Sequence, residues 1–354
     1  MAIRKIVSRS ITANAVDTTA LATNAVTTAK VADNAITSAK ALNLGRRNLL
    51  INGSFNLWQR GTSFSSNVYG ADRWKFYAPG GHAYAQSTDT PDSPNNFKYS
   101  ASVGGSGDAT GLTQFVESLN ASHIPSSGST KVILSFYLKH TTNSGTAKIT
   151  SVVGTMDSAD NSGASTNRST QNHNTTTSWA RYTHEMTGAD LTAAVTNGLV
   201  VTIKHNGSGT TAFLLTGCQL EISESVTDFE RISLSEELDL CQRYFERIQV
   251  TGYFVTGNSY STAQFNAAPM FFKTKKRSTP NITFPTIGTT NGTIGATSAT
   301  ANYVTQGSVL RSYSTTDWFQ MYNNSNDGYS GFNDDGVMQI YSYGYNQITA
   351  ESEI

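Results

Sequence analysis

Between residues 11 and 42 the larger aliphatic residues fall five apart: Ile11, Val16, Leu21, Val26, Val31 and Ile36. Only Ala, Thr, Ser, Asn, Asp and Lys lie between them, and the triplets Asn14-Ala15-Val16, Asn24-Ala25-Val26 and Asn34-Ala35-Ile36 recur in one phase. A strand turns its side chains over every two residues and a helix every 3.6, so a spacing of five fits neither for long. One aliphatic in five cannot bury enough apolar surface to offset the entropy of ordering a lone chain. Two readings are open. The stretch is a disordered leader, or several copies wind together with their aliphatic stripes on a shared axis. The constant register favours the second.

Beyond Gly45 the pattern changes. Leu49 to Ile51 form a short apolar run, followed by Asn52-Gly53, a strong turn signal. From there to Leu220, short apolar and β-branched runs are broken by turn residues, which predicts a β-sandwich or barrel. Residues 131–139 alternate cleanly, with Val132, Leu134, Phe136 and Leu138 on one side. Residues 232–248 read as a helix. Ser233 and Glu236 have capping-box spacing, and Leu234, Leu238, Cys241 and Phe245 form one stripe. The chain from 249 to 354 is β-like again, with Gly288 to Ala301 reading as an exposed loop or thin hairpin. The expected class is mainly β. An extended repeat occupies 11–45, a sandwich 46–232, a linking helix 233–248 and a C-terminal β domain 249–354.

Composition narrows the function. Acidic and basic residues balance at 25 each, so no net field attracts nucleic acid or an anionic membrane. No apolar run approaches the length of a membrane-spanning helix. Residues 1–10 are basic but lack a signal peptide's apolar run and cleavage site, which predicts synthesis in the cytoplasm. Ile3, Ile6 and Val7 give this segment a small apolar face, read as an attachment peptide or a frayed end. Cys218 and Cys241 make no disulfide framework and read as small buried side chains.

The order NLLINGSFNLWQRG, ADRWKFY, TGCQLEI and TDFERISLSEELDLCQRYFE resembles a module of phage tail fibres, over roughly residues 46 to 247. Runs such as NAVTTAKVADNAITSAK resemble the shaft repeats of the same fibres, and so do APMFFKTKKRSTPNITF and the ending ITAESEI. The resemblance implies a homotrimer, with a shaft built on the six aliphatic residues. It implies that residues 1–10 attach to phage baseplate or tail proteins, and that the protein resides in the virion after synthesis in the host. It further implies a jelly-roll domain like carbohydrate-binding modules, in which Trp58 and Trp74 are architectural. Some such jelly rolls hold calcium, for which Asn52, Ser54 and Glu221 are the positional candidates. Residues 52–55 lack the run of carboxylates that calcium prefers, so no metal or other cofactor is expected.

Candidate chemistry is sparse. The sequence has no G-x-S-x-G, H-E-x-x-H, P-loop or G-x-G-x-x-G, and no two of its six His stand three or four apart. The pairs Asp157/Asp160 and Asp334/Asp335 read as solvated turns. The basic cluster Lys273, Lys275, Lys276 and Arg277 reads as a solvated turn or a contact for an anionic glycan. Tyr341, Tyr343 and Tyr345 alternate, which on a strand sets all three on one face. With Trp318, Tyr322 and Asn324 they suit a sugar, which offers a C–H face and a ring of hydroxyls. A domain core or a trimer interface suits them too and is the favoured reading, since aromatic residues are buried more often than not. The expectation is a receptor-binding fibre that recognises host-surface polysaccharide or lipopolysaccharide without catalysis. A polysaccharide-cleaving tailspike and a purely structural virion adaptor are the alternatives.

Overall fold

The computed structural model describes residues 46–65, 67–78, 82–92, 96–105, 110–124, 130–141, 148–206, 212–261, 263–286, 294–298, 301–303, 310–324, 326–327 and 337–354. Residues 1–10, the expected attachment peptide, and the repeat residues Ile11, Val16, Leu21, Val26, Val31 and Ile36 lie outside them. The chain divides into Met1–Arg47 and Asn48–Ile354, and every described strand and helix belongs to the second unit.

Two six-stranded antiparallel sheets form first. Their strands are β1 (Ser63–Phe64), β2 (Val68–Tyr69), β3 (Lys75–Tyr77), β4 (Tyr84–Ser87), β5 (Ser100–Val103), β6 (Gly111–Val116), β7 (Lys131–His140), β8 (Lys148–Met156), β9 (Ser165–Asn174), β10 (Ala180–Thr187), β11 (Leu199–His205) and β12 (Phe213–Ile222). The first sheet runs β1-β4-β5-β12-β7-β10 and the second β2-β3-β6-β11-β8-β9. They face each other as a jelly-roll-like sandwich, and one apolar cluster drawn from both fills the gap. Val132, Leu134, Phe136 and Leu138 of β7 all point into it, as their alternation predicts. Ile133 and Ser135 are buried too, because the outer face of β7 is also covered. There Arg181 donates to the Thr227 carbonyl and Phe97 packs on Tyr137 and Phe229.

The residues around Asn52 close one end of this core. Asn52 takes a positive φ of 55°, and an added Cβ on Gly53 would lie 2.1 Å from the Cys218 carbonyl. Only glycine permits that approach. Trp74 is fully buried, stacks on Phe55 and donates to the Asn52 carbonyl. Trp58 donates to the Phe55 carbonyl and packs against Tyr84. Trp74 is a core residue, and Trp58 is partly buried against the same core. Asn52 and Glu221 spend their side-chain oxygens on Leu57 and Thr227.

The helix is shorter than its pattern suggests. It spans Leu234–Gln242, capped by Ser233, whose Oγ accepts from the Glu236 amide. The chain turns at Arg243–Tyr244, and Phe245 already pairs with Glu351 in a strand. Pairing with a distant strand overrides the local 3.6 period. The buried face also differs from the expected stripe. Leu234 is 60 % exposed, and Cys241 joins Tyr244 on the sandwich instead.

The third sheet contains β13 (Phe245–Ser261), β14 (Gln264–Ala267), β15 (Met270–Phe271), β16 (Asn281–Thr283), β17 (Ile294–Ser298), β18 (Ala301–Tyr303), β19 (Arg311–Ser314), β20 (Trp318–Asn323) and β21 (Val337–Glu351). Its main path is β15-β20-β14-β13-β21-β17-β18, with β16 on β21 and β19 on β20. One side packs as a second core of Phe265, Ile294, Phe319, Met321, Met338, Ile340 and Ile348 among others. Ile294 is the buried anchor of the β17–β18 hairpin, where the sequence suggested little core.

Residues 351–354 join this sheet to the sandwich. Glu353 pairs with the buried Arg73 and, at 3.1 Å, with Arg60. Arg73 and Arg60 in turn lie over the rings of Tyr244 and Phe245. The Tyr69 hydroxyl donates to the Ile354 carbonyl.

Candidate functional site

In the third sheet, side chains opposite the core form an outer face. Asn258 of β13 pairs with Asn266 of β14, Asn266 with Tyr322 of β20, and Tyr322 with Arg311 of β19. Directly paired residues in antiparallel strands share a face, so these four form a row. A second row places Tyr313 opposite Gln320, and Phe271 lies opposite Trp318. The alternate residues Phe319, Met321 and Phe265 point into the core, which fixes the outward direction of Trp318, Gln320 and Tyr322.

This face contains an open cleft of about 560 Å³, lined by Thr256, Asn258, Tyr260, Asn266, Pro269 and Gln320 among others. Gly257 forms part of its floor, where a Cβ would lie 2.1 Å from the Asn266 carbonyl. The Gln320 amide is held by donation to the Ala267 carbonyl at 2.7 Å. Tyr313 is 59 % exposed and its ring lies 5.6 Å from that of Trp318. Tyr260 and Phe271 are exposed as well. The surface therefore offers aromatic planes, amides and hydroxyls in water. It can bury an apolar face of a ligand and hydrogen-bond its edge.

The charged groups near this face are engaged with one another. Arg311 grips Asp327 through two bonds of 2.9 Å, which hold that carboxyl below the usual carboxylate range. Asp317 is lowered by the Thr316 hydroxyl and by Lys275. Glycoside cleavage asks for a raised acid beside a second carboxylate. Burial does raise Asp72, to about 6, but it is enclosed at the junction beside Arg60 and away from the cleft. Asp157 and Asp160 sit at a turn and accept from Thr166 and Ser118. Asp334 and Asp335 lie outside the described residues.

The candidates named from sequence separate. Trp318 and Tyr322 meet on the outer face. Asn324 is exposed just beyond β20, its amide held by Asp327. The tyrosine row does not form as a row. Pairing between β13 and β21 jumps from Val250–Asn346 to Gly252–Ser342, so residues 343–345 oppose Thr251 alone. This bulge, with Gly344 at φ 80°, breaks the alternation. Tyr341 is buried against Tyr253, Tyr345 is 80 % exposed, and the side chain of Tyr343 is outside those described. Lys276 corrects the reading of a solvated basic turn. It is 1 % exposed and donates to the carbonyls of Gln242 and Thr274 and to Glu246. Lys275 alone of that pair is exposed, beside Asp317. Asn258, Tyr260, Asn266 and Gln320 carry no signal in the sequence, because only strand pairing brings them together.

No protein-family model and no curated protein matches the chain. Among solved structures, the CBM22-1 xylan-binding domain of Paenibacillus barcinonensis is similar over 51 % of this chain and 96 % of its own, at 15 % identity and a TM-score of 0.32. The CBM22-1–GH10 modules of a Clostridium thermocellum xylanase, complexed with xylohexaose, give 14 % identity over 52 % of this chain and 31 % of theirs, at 0.30. The enzymatically active domain of tailspike protein 4 of bacteriophage CBA120 gives 11 % over 50 % and 21 %, at 0.31. All three likenesses are distant, and the sandwich stands on its own strand order and core packing.

Proposed function

We propose that the chain is a homotrimeric phage tail fibre that binds a host-surface polysaccharide or lipopolysaccharide without cleaving it. Its N-terminal residues attach it to the tail or baseplate, and its place is the virion. The observation that carries the binding role is the cleft on the third sheet. Its lining is neutral, with the amides of Asn258, Asn266 and Gln320 beside Tyr260. Trp318 and Tyr313 extend it as an aromatic shelf. A sugar ring stacks its C–H face on such a shelf and meets amides with its hydroxyls. The repeat pattern and the fibre-like motifs support the fibre itself.

The test is binding of the full chain to a panel of immobilised bacterial surface polysaccharides. Trp318→Ala should weaken the bound member roughly tenfold or more, about 1.4 kcal/mol, with an unchanged thermal melt. Undiminished binding by Trp318→Ala would remove the site. Release of new reducing ends would replace the binding reading with a depolymerase.

A further inference from the structure

Among the described residues, no Asp, Glu, Lys, Arg or His lines the cleft on the third sheet. Lys273, Lys275, Asp317, Arg311 and Asp327 all stand outside its lining. Four of these are closed in the pairs Lys275–Asp317 and Arg311–Asp327. The cleft's own polar side chains are turned outward. Thr256, Asn258, Tyr260 and Asn266 are exposed, and among the described residues their side chains make no hydrogen bond within the chain.

Gln320 gives the lining a direction. Its side chain donates to the Ala267 carbonyl at 2.7 Å. A carbonyl only accepts, so the NH₂ end lies there and Oε1 is left as an acceptor. Ala268 keeps the space beside it open. The Ala268 amide donates to the Thr256 carbonyl at 2.7 Å, and Gln320 reaches the carbonyl of the residue before it. Only a methyl group therefore stands between Thr256 and Gln320, and all three residues line the cleft.

A hydroxyl both donates and accepts, so it satisfies an amide whichever end it meets, and it supplies the proton that Oε1 of Gln320 asks for. An ionised carboxylate only accepts. It would meet that oxygen with no proton between them, and it would leave water with no cation in the lining to replace its hydration. Resting on the reading of this cleft as a glycan site, we infer that it selects an uncharged glycan, and that Ala268 sets the space the sugar enters.

The test uses the full chain on immobilised bacterial polysaccharides, one set built of neutral sugars only and one set containing uronic acids. The tightest ligand should come from the neutral set, with acidic members about tenfold or more weaker. Its affinity should change less than about twofold between about 50 and 500 mM NaCl, since no ion pair is there to be screened. Ala268→Trp should fill the space and weaken that ligand about tenfold or more, with an unchanged thermal melt. Should this variant fold poorly, Asn266→Ala, at an exposed position, takes its place with a loss expected in the same direction. An acidic member bound tightest, and released by salt, would overturn the selection and leave the glycan reading standing. Neutral binding that survives both substitutions would overturn the placement at Ala268. No binding to any member would remove the glycan reading itself, and the selection with it.

Discussion

Lys276 shows how far a side chain's setting can depart from its neighbours in sequence. Burial pushes its ammonium down, while Glu246 pushes it back up by hydrogen bond and charge. Removing one partner of a buried pair leaves the other charge uncompensated. Lys276→Met should therefore cost about 3–5 kcal/mol in urea unfolding, and a double change with Glu246→Leu should cost less than that single change. Lys275→Met, at an exposed position, should stay within about 0.5 kcal/mol. Equal effects at the two lysines would contradict the buried pairing. The sequence run Lys273 to Arg277 shows charge but not what faces it, so only its exposed members, Lys273 and Lys275, are read correctly from the pattern.

Strands are legible where alternation and burial agree. β7 is read from Val132, Leu134, Phe136 and Leu138 because one side of it faces a core throughout. β21 defeats the same rule, because the bulge at 343–345 depends on where β13 pairs. The two sheets are also held by groups no pattern shows. His184 of β10 contacts Ser151 of β8 at 2.9 Å, and Ser151 contacts His173 of β9 at 2.7 Å. Burial, then His173, lowers His184 to about 4, and burial lowers His173. These folded values lie below that of free histidine, near 6.5, so the unfolded chain takes up protons first. The stability that comes from neutral rings is complete above about pH 6.5 and is lost as pH falls towards 4. The slope is at most about 1.4 kcal/mol per pH unit for each histidine. Asp72 acts in the opposite sense. Its folded value of about 6 exceeds the unfolded one, so the folded state gains the proton first and offsets part of the loss. Urea midpoints between pH 7.5 and 4.5 should fall with acid, and His184→Gln should flatten the slope. A profile independent of pH across that range would contradict the buried neutral rings.

The proposed fibre draws its two ends from different physics. Asn48–Ile354 has its own cores and buries its own ion pairs, which predicts that it folds without a second copy. The stripe from Ile11 to Ile36 has one aliphatic in five and needs neighbours to bury it. Assembly should therefore depend on the repeats. Light scattering of the full chain should give three times 38.0 kDa, and residues 43–354 should give less than three times their own chain mass. The cleft lies on a single chain's third sheet, so the truncated protein should keep its affinity for a short soluble oligosaccharide. It should lose binding to a dense polysaccharide surface by about a hundredfold or more, since linked sites raise avidity without new contacts. A monomeric full-length chain would remove the shaft and leave the glycan site standing. A truncated chain that loses the soluble sugar too would instead place part of the site between copies.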